Sequence, residues 1–205
     1  MHHTSRYYVV WRGRKPGVYS SWAACREQVE GFEGAMYKAY PTLDMARRAF
    51  QLGPEAVRYP LWALAQPGPQ LPALAVDAAS SQARGPVVFR GVWLRPPRDE
   101  IEVFREHLPR ATANAGEFLA VVRGLQWLQT RHPNQSIPVY TDSRVALSWL
   151  QKGGPPKRVQ KQWPRETQEQ VNRAVAWLTR HPGPWDVRLW DTAAWGENPA
   201  DFGRK

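Results

Sequence analysis

"LPALAVDAAS", residues 71–80, is the stretch on which the fold turns. Its apolar run from Ala73 to Val76 is too short for a helix and is bounded by Pro72 and small residues, so it reads as a buried strand. Asp77 stands near its end. A charge there is out of place unless it leaves the core for a crevice at the strand ends. The reading of the chain therefore depends on whether other acids come to meet it.

Downstream, "GPVVFRGVWL" (85–94) and "DEIEVFREHL" (99–108) follow Gly/Pro turns and complete an antiparallel meander, with Ile101 and Val103 alternating against Glu100 and Glu102 as a half-buried strand requires. "NAGEFLAVVRGLQWLQT" (114–130) places Phe118, Val121, Val122, Leu125 and Leu128 at helical spacing, with Asn114 as a plausible N-cap. "SIPVYTDS" (136–143) is a short apolar strand ending at Asp142, and "RVALSWLQ" (144–151) a helix. A basic stretch, "KGGPPKRVQKQW" (152–163), precedes the helix "RETQEQVNRAVAWLTR" (165–180) and a last strand in "WDVRLW" (185–190). Strands joined through helices run parallel, so the fourth strand can settle beside the first in a mixed sheet.

Upstream, Pro54, Pro60, Pro67, Pro69 and Pro72 punctuate a segment without helical or strand period, which reads as a linker over 53–71. It separates a domain at 1–52 from one at 72–205. The first domain reads as a β-β-α-β-α miniature: "RYYVVWR" and "GVYSS" around the turn "GRKPG", the helix "SWAACREQVEGF", the strand "AMYKAY", and a helix "TLDMARRAF" opened by Thr42. Tyr40 is expected in its core.

The chain of 205 residues carries a net charge of +10, and 42% of it is hydrophobic, enough to bury a core. Lys and Arg outnumber Asp and Glu in both domains, 8 to 4 over 1–52 and 19 to 13 over 72–205. Such a balance favours a polyanionic partner, with nucleic acid ahead of acidic lipid. No apolar stretch approaches the ~20 residues of a membrane span, and "YYVVW" is too short for a signal peptide. The expectation is a cytoplasmic, monomeric protein without a membrane partner. Cys25 is the sole cysteine, which excludes an internal disulfide, and reads as a core residue; the five histidines, including adjacent His2 and His3, show no metal spacing.

Four acids remain to be explained. Asp77 and Asp142 end neighbouring strands, Glu117 begins the intervening helix, and Asp201 follows the last strand behind an Asn-Pro turn signal. Taken singly, each has an ordinary explanation as a turn, dipole partner or cap. Together they would repel one another unless a cation neutralises them, and oxygen ligands without sulfur or imidazole suit Mg²⁺ or Mn²⁺. Two such ions can activate a water and stabilise the leaving oxygen of a phosphodiester.

At these residues the chain resembles the type 1 ribonuclease H family, on "VDAAS", "TANAGE", "YTDS" and "ENPAD". The resemblance implies an α/β fold, a ribonuclease H-like mixed five-stranded sheet flanked by helices, beside the small N-terminal domain. It also implies that Asp77, Glu117, Asp142 and Asp201 hold two Mg²⁺ ions, with Mn²⁺ a substitute. Asn114 and Arg144 would then face the substrate. The first domain resembles the hybrid-binding domain fused to such enzymes and found in a caulimovirus protein, on "GRKPGVYSSW", "CREQVEGF" and "GAMYKAY". That implies Trp22, Tyr37 and Lys38 grip an RNA/DNA hybrid, with double-stranded RNA a further partner. The implied activity is hydrolysis of the RNA strand of hybrids. The alternatives are a non-catalytic hybrid or double-stranded RNA binder with a decayed nuclease fold, and a related nuclease acting on DNA.

The sequence departs from the family's pattern in three ways. Ala78 and Ala79 stand where glycine is usual. No histidine lies in "WDTAAWGENPAD", with His181 a poor stand-in, so a helper to product release is expected to be missing. The tail itself, through Pro199 and Phe202, must hold Asp201. Lys152, Lys157, Arg158 and Lys161 mark where some members carry a basic protrusion.

Overall fold

The computed structural model describes residues 6–80 and 82–203; His2 and His3 lie outside them. The chain divides into two compact units, Met1–Gly68 with Ala194–Gly196, and Pro69–Ala193 with Glu197–Lys205.

In the first unit β1 (Tyr7–Arg12) is the centre of an antiparallel sheet, between β2 (Gly17–Tyr19) and β3 (Met36–Tyr40). Helices α1 (Trp22–Val29) and α2 (Leu43–Leu52) open on Ser21 and Thr42, whose side chains accept from the Ala24 and Met45 amides. Val9, Trp11, Tyr40, Met45, Ala46 and Ala49 form one core cluster, while Val10, Cys25 and Val29 form another. The proline-rich segment differs from the expected linker. It makes two short 3₁₀ turns, Pro54–Arg58 and Leu61–Ala63, and buries Ala56, Trp62, Leu64 and Ala65. Ala56, Leu64 and Ala65 join the core of the first unit, and the Tyr40 hydroxyl donates to the Ala56 carbonyl. The prolines removed the period that marks a helix or strand, but the apolar residues between them still found a core to enter.

In the second unit β4 (Ala73–Ser80), β5 (Gly85–Arg95) and β6 (Asp99–Ala111) form the meander, and β7 (Val139–Thr141) and β8 (Val187–Leu189) add on the other side of β4. The order is β6-β5-β4-β7-β8, with β4–β7 and β7–β8 parallel. Between β6 and β7 runs α3 (Ala113–Arg131), which buries Phe118, Val121, Val122, Leu125 and Leu128, the stripe expected from spacing. Then come α4 (Arg144–Gln151), α5 (Lys157–Gln160) and α6 (Arg165–Arg180). The basic stretch is therefore a short helix. Gln160 and Trp163 are buried, with Gln160 donating to the Pro155 carbonyl, while Lys152, Lys157, Arg158 and Lys161 stay exposed.

Two local expectations fail. Ile101 is 41% exposed and Val103 half-buried, while Phe104 and Leu108 take the core positions. The β5–β6 register shifts between Gly91 and Val92, and the Phe104 ring fills the space a side chain at 91 would need. A one-residue bulge of this kind exchanges the two faces of a strand. Thr112, not Asn114, caps α3, accepting from the Ala115 amide, and Asn114 is exposed within the first turn.

Candidate functional site

β4 pairs with β7 through Leu74–Val139 and Ala75–Tyr140; two residues further along each chain stand Asp77 and Asp142. The adjacency expected from topology is thus built by the parallel register. Asp77 is only 8% exposed. Burial pushes its carboxyl up to about 8, and the charges of Asp142, Glu117 and Asp201 push the same way, against a hydrogen bond from the Ala78 amide. Three acids from three other segments therefore act on Asp77. Asp142 is exposed, and Glu117 and Asp201 are half-buried.

Glu117 reaches Asp77 because α3 lies close on the sheet. Gly116 permits this: a Cβ there would overlap Val87 and stand 2.9 Å from the Ala78 methyl. Ala78 is thus a packing partner of the helix. Burial raises the Glu117 carboxyl, the Ser143 hydroxyl opposes this by hydrogen bonding to it, and Asp142 raises it further. Ser143 also caps α4 through the Ala146 amide. One buried hydroxyl thus joins the helix carrying Glu117 to the turn carrying Asp142.

The tail is fixed by Asn198, which the sequence offered only as a turn signal. It is buried, its side chain donates to the Val76 carbonyl at 3.1 Å and accepts from the Ala200 amide at 2.9 Å, and its own carbonyl accepts from the Asp201 amide. Arg90 on β5, the register partner of Asp77, donates to the carbonyls of Pro199, Ala200 and Asp201. Pro199 and Phe202 take part in the hold as expected, Pro199 through its carbonyl and Phe202 through its ring against Arg90 and Arg105, and hydrogen bonds to β4 and β5 add to it.

Among the described residues no three His, Cys, Asp or Glu side chains already stand close enough to enclose a cation. The donor set still fits one in kind: four carboxylates, no sulfur and no imidazole, in a place where burial and three neighbouring carboxylates push Asp77 up to about 8. His181 is elsewhere. It caps the end of α6, its Nδ1 meets the Trp177 carbonyl at 2.9 Å, and its ring stacks on Trp177. With His132 and Trp185 it lines a cavity of about 540 Å³ at the other end of β7 and β8 from Asp142.

Arg144 is exposed at the first position of α4. Sequence reasoning missed a cavity of about 270 Å³ lined by Arg84, Arg110, Thr112, Gln162 and Trp163, at the start of α3. Arg84 and Arg110 reach it from the paired ends of β5 and β6, where Gly85 lies opposite Ala111, and nothing in the linear pattern announced it.

On the first unit Trp22 and Tyr37 are each 43% exposed, and their rings lie 5.7 Å apart. Tyr8, also missed, stands 5.6 Å from Trp22 and extends the face. Lys38 does not join it as expected. Strand alternation turns it from Tyr37, and its Nζ donates to the carbonyls of Val57 at 2.8 Å and Tyr59 at 3.2 Å. Burial lowers its pKa. The segment read as a linker supplies those two carbonyls.

Residues 6–50 match the family described as "Ribonuclease H1 N-terminal domain". The chain is 56% identical over 41 residues to a ribonuclease H of Crithidia fasciculata and 39% identical over 41 residues to one of Saccharomyces cerevisiae, in each case 20% of this chain. It spans only 8% and 12% of those relatives. Among solved structures it is similar to ribonuclease H1 of Halobacterium salinarum, at 18% identity and a TM-score of 0.40 over 59% of this chain and 86% of that one. It is also similar to LC11 ribonuclease H1 in complex with an RNA/DNA hybrid, at 14% identity and 0.41 over 58% and 83%. The mixed five-stranded order β6-β5-β4-β7-β8 and the separate three-stranded sheet are the arrangement expected from sequence.

Proposed function

We propose that this chain, whose residues 6–50 match the ribonuclease H1 N-terminal domain family, hydrolyses the RNA strand of RNA/DNA hybrids. The observation that carries the reading is the parallel β4–β7 register that sets Asp77 beside Asp142, with the charges of Asp142, Glu117 and Asp201 all acting on buried Asp77. A structural role does not ask for that. Clustered carboxylates in a partly buried site cost stability, and proteins keep such arrangements where function uses them.

Asp77, Glu117, Asp142 and Asp201 would hold two divalent cations, Mg²⁺ or Mn²⁺. Bound, these supply charge neutralisation and an activated water for phosphodiester hydrolysis. The chain's own residues set the geometry. Asp77 is fixed by the central strand, Glu117 is aimed by Ser143, and Asp201 is brought in by Asn198 and Arg90. Arg84 and Arg110 would receive a backbone phosphate away from the acids, with Asn114 and Arg144 on the exposed approach. Phosphate contacts of this kind fix register on a duplex. In the first unit, Tyr8, Trp22 and Tyr37 offer ring faces to sugars or bases, and hydroxyl readout would separate RNA from DNA.

The experiment is to incubate labelled RNA/DNA hybrid, RNA duplex and DNA duplex with the chain and Mg²⁺ or Mn²⁺, beside Asp142→Asn. Cation-dependent cutting of the hybrid alone, lost in the variant, is the expected result. Binding without cutting would favour the decayed nuclease, and DNA cleavage the third reading. The aromatic face has its own test. Trp22→Ala and Tyr37→Ala should each weaken hybrid binding about 10- to 100-fold, as loss of a stacked base does, measured by fluorescence anisotropy. Lys38→Ala should instead chiefly lower the melting point of the first unit, because its ammonium serves the Val57 and Tyr59 carbonyls.

A further inference from the structure

We infer that Arg90 is a positioning residue: its guanidinium is a latch that sets the C-terminal segment so that Asp201 faces the other three acids. The inference rests on the reading of those acids as a cation site. Of the four, Asp201 alone belongs to neither a regular strand or helix nor the turn leading into one. Its placement needs another source of order.

Arg90 supplies it with a divided set of donors. Its Nε reaches the Ala200 carbonyl at 2.8 Å, and its Nη2 reaches that of Asp201 at 2.6 Å and of Pro199 at 3.4 Å. Three consecutive carbonyls are thereby gathered on one planar cation. A guanidinium does this and an ammonium does not, because the fork is rigid and its donors diverge at fixed angles.

The rest of the latch keeps Arg90 in place. Arg105 is its register partner on β6, and two cations directly opposed on neighbouring strands repel. Glu102 lies between them, accepting from Arg90 Nη1 at 3.1 Å and from Arg105 Nε and Nη2 at 2.9 and 2.6 Å. The Arg105 hydrogen bond, with that of Arg90, holds the Glu102 carboxyl down to about 2. Phe202, the residue after Asp201, lies 4.6 Å from the Arg90 guanidinium and 5.4 Å from that of Arg105. The tail thus meets two cations through a ring face and one through its carbonyls. Asn198 anchors the segment's start and the latch its end, with Asp201 held between.

The test uses the full chain with Arg90→Gln, Arg90→Lys and Phe202→Ala. Amide hydrogen exchange of residues 197–203, measured without cation, should quicken at least ~10-fold in Arg90→Gln and Arg90→Lys, the signature of a freed segment. Ca²⁺ affinity by calorimetry should fall, and the Mg²⁺ concentration for half-maximal hybrid cutting should rise, by ~10- to 100-fold, the usual loss when a partner of a ligand is removed. Hybrid affinity should stay within ~2-fold, since the aromatic face is untouched. Phe202→Ala, which leaves the β5–β6 ion pairs intact, should give a smaller shift in the same direction and guards against loss of folding in the arginine variants. The proposal is overturned if exchange of the tail is unchanged in Arg90→Gln, or if Arg90→Lys restores both exchange and cation requirement, which would make the role one of charge alone. A parent chain that cuts no hybrid would sink the functional reading, while exchange and Ca²⁺ binding would still decide the latch.

Discussion

Asp77→Asn should unfold at a higher temperature than the parent chain at pH 8.5 in chelator, and should cut no hybrid at all. Burial and three neighbouring acids hold the Asp77 carboxyl at about 8, far above its unfolded value. Between the ordinary carboxylate range and pH 8 the folded parent binds a proton that the unfolded chain has released. Its stability therefore falls as pH rises through that window. The amide carries no such charge. A gain of roughly 3 kcal/mol at pH 8.5, or about 5–10 °C in the second unit's melting, follows, shrinking toward zero near pH 4. Mg²⁺ should raise the melting point of the parent more than that of the variant. A pH-independent difference between the two would remove the electrostatic account of the cluster.

Gly116→Ala should separate packing from chemistry. In a helix interior the change from glycine to alanine is ordinarily favourable by up to ~1 kcal/mol. Here the new methyl overlaps Val87 and crowds Ala78, so α3 must lift from β4 and β5. Overpacking of this sort costs ~1–3 kcal/mol, and the next residue is Glu117. A displacement near 1 Å at an aligned catalytic group lowers rate about 100-fold. Gly124→Ala is the control: two turns along the helix its methyl meets Leu74 Cδ2 at 3.0 Å and Val76 Cγ1 at 3.2 Å, tight but not overlapping, and its helix neighbours Arg123 and Leu125 are not acids. It should lose stability by calorimetry while keeping most of its cutting rate. Equal losses of rate in both variants would show that helix position as a whole, not Glu117, is what matters.

What the sequence disclosed follows from how local each signal was. The helix α6 runs over the 165–180 stretch that its spacing marked out, and the stripe of α3 is buried, because a 3.6-residue period repeats often enough to be unmistakable. The short strands β7 and β8 are only three residues each, and their flanks read as strand equally well. Ile101 misled because the alternation is broken by a bulge whose cause, bare Gly91 beneath Phe104, lies on another strand.

The site divides the same way. The nearness of Asp77, Glu117 and Asp142 was legible because an acid at the border of an apolar element is an anomaly visible from the residues. The groups that aim them were not. Ser143, Asn198 and Arg90 look like an ordinary cap, a turn and a strand arginine until the fold brings them within hydrogen-bonding distance of partners as many as 122 residues away. Lys38 shows the opposite error, since its partners lie in a segment whose prolines hid its packing.

The proposed cation site needs all four carboxylates at once, one from each of four segments. Electron paramagnetic resonance of Mn²⁺ titrated into the chain without nucleic acid is the decisive measurement, run beside Asp77→Asn, Glu117→Gln, Asp142→Asn and Asp201→Asn. Tight Mn²⁺ uptake by the parent that weakens at least ~10-fold in every one of the four is the predicted result. Uptake that survives unchanged in any of them would contradict the account.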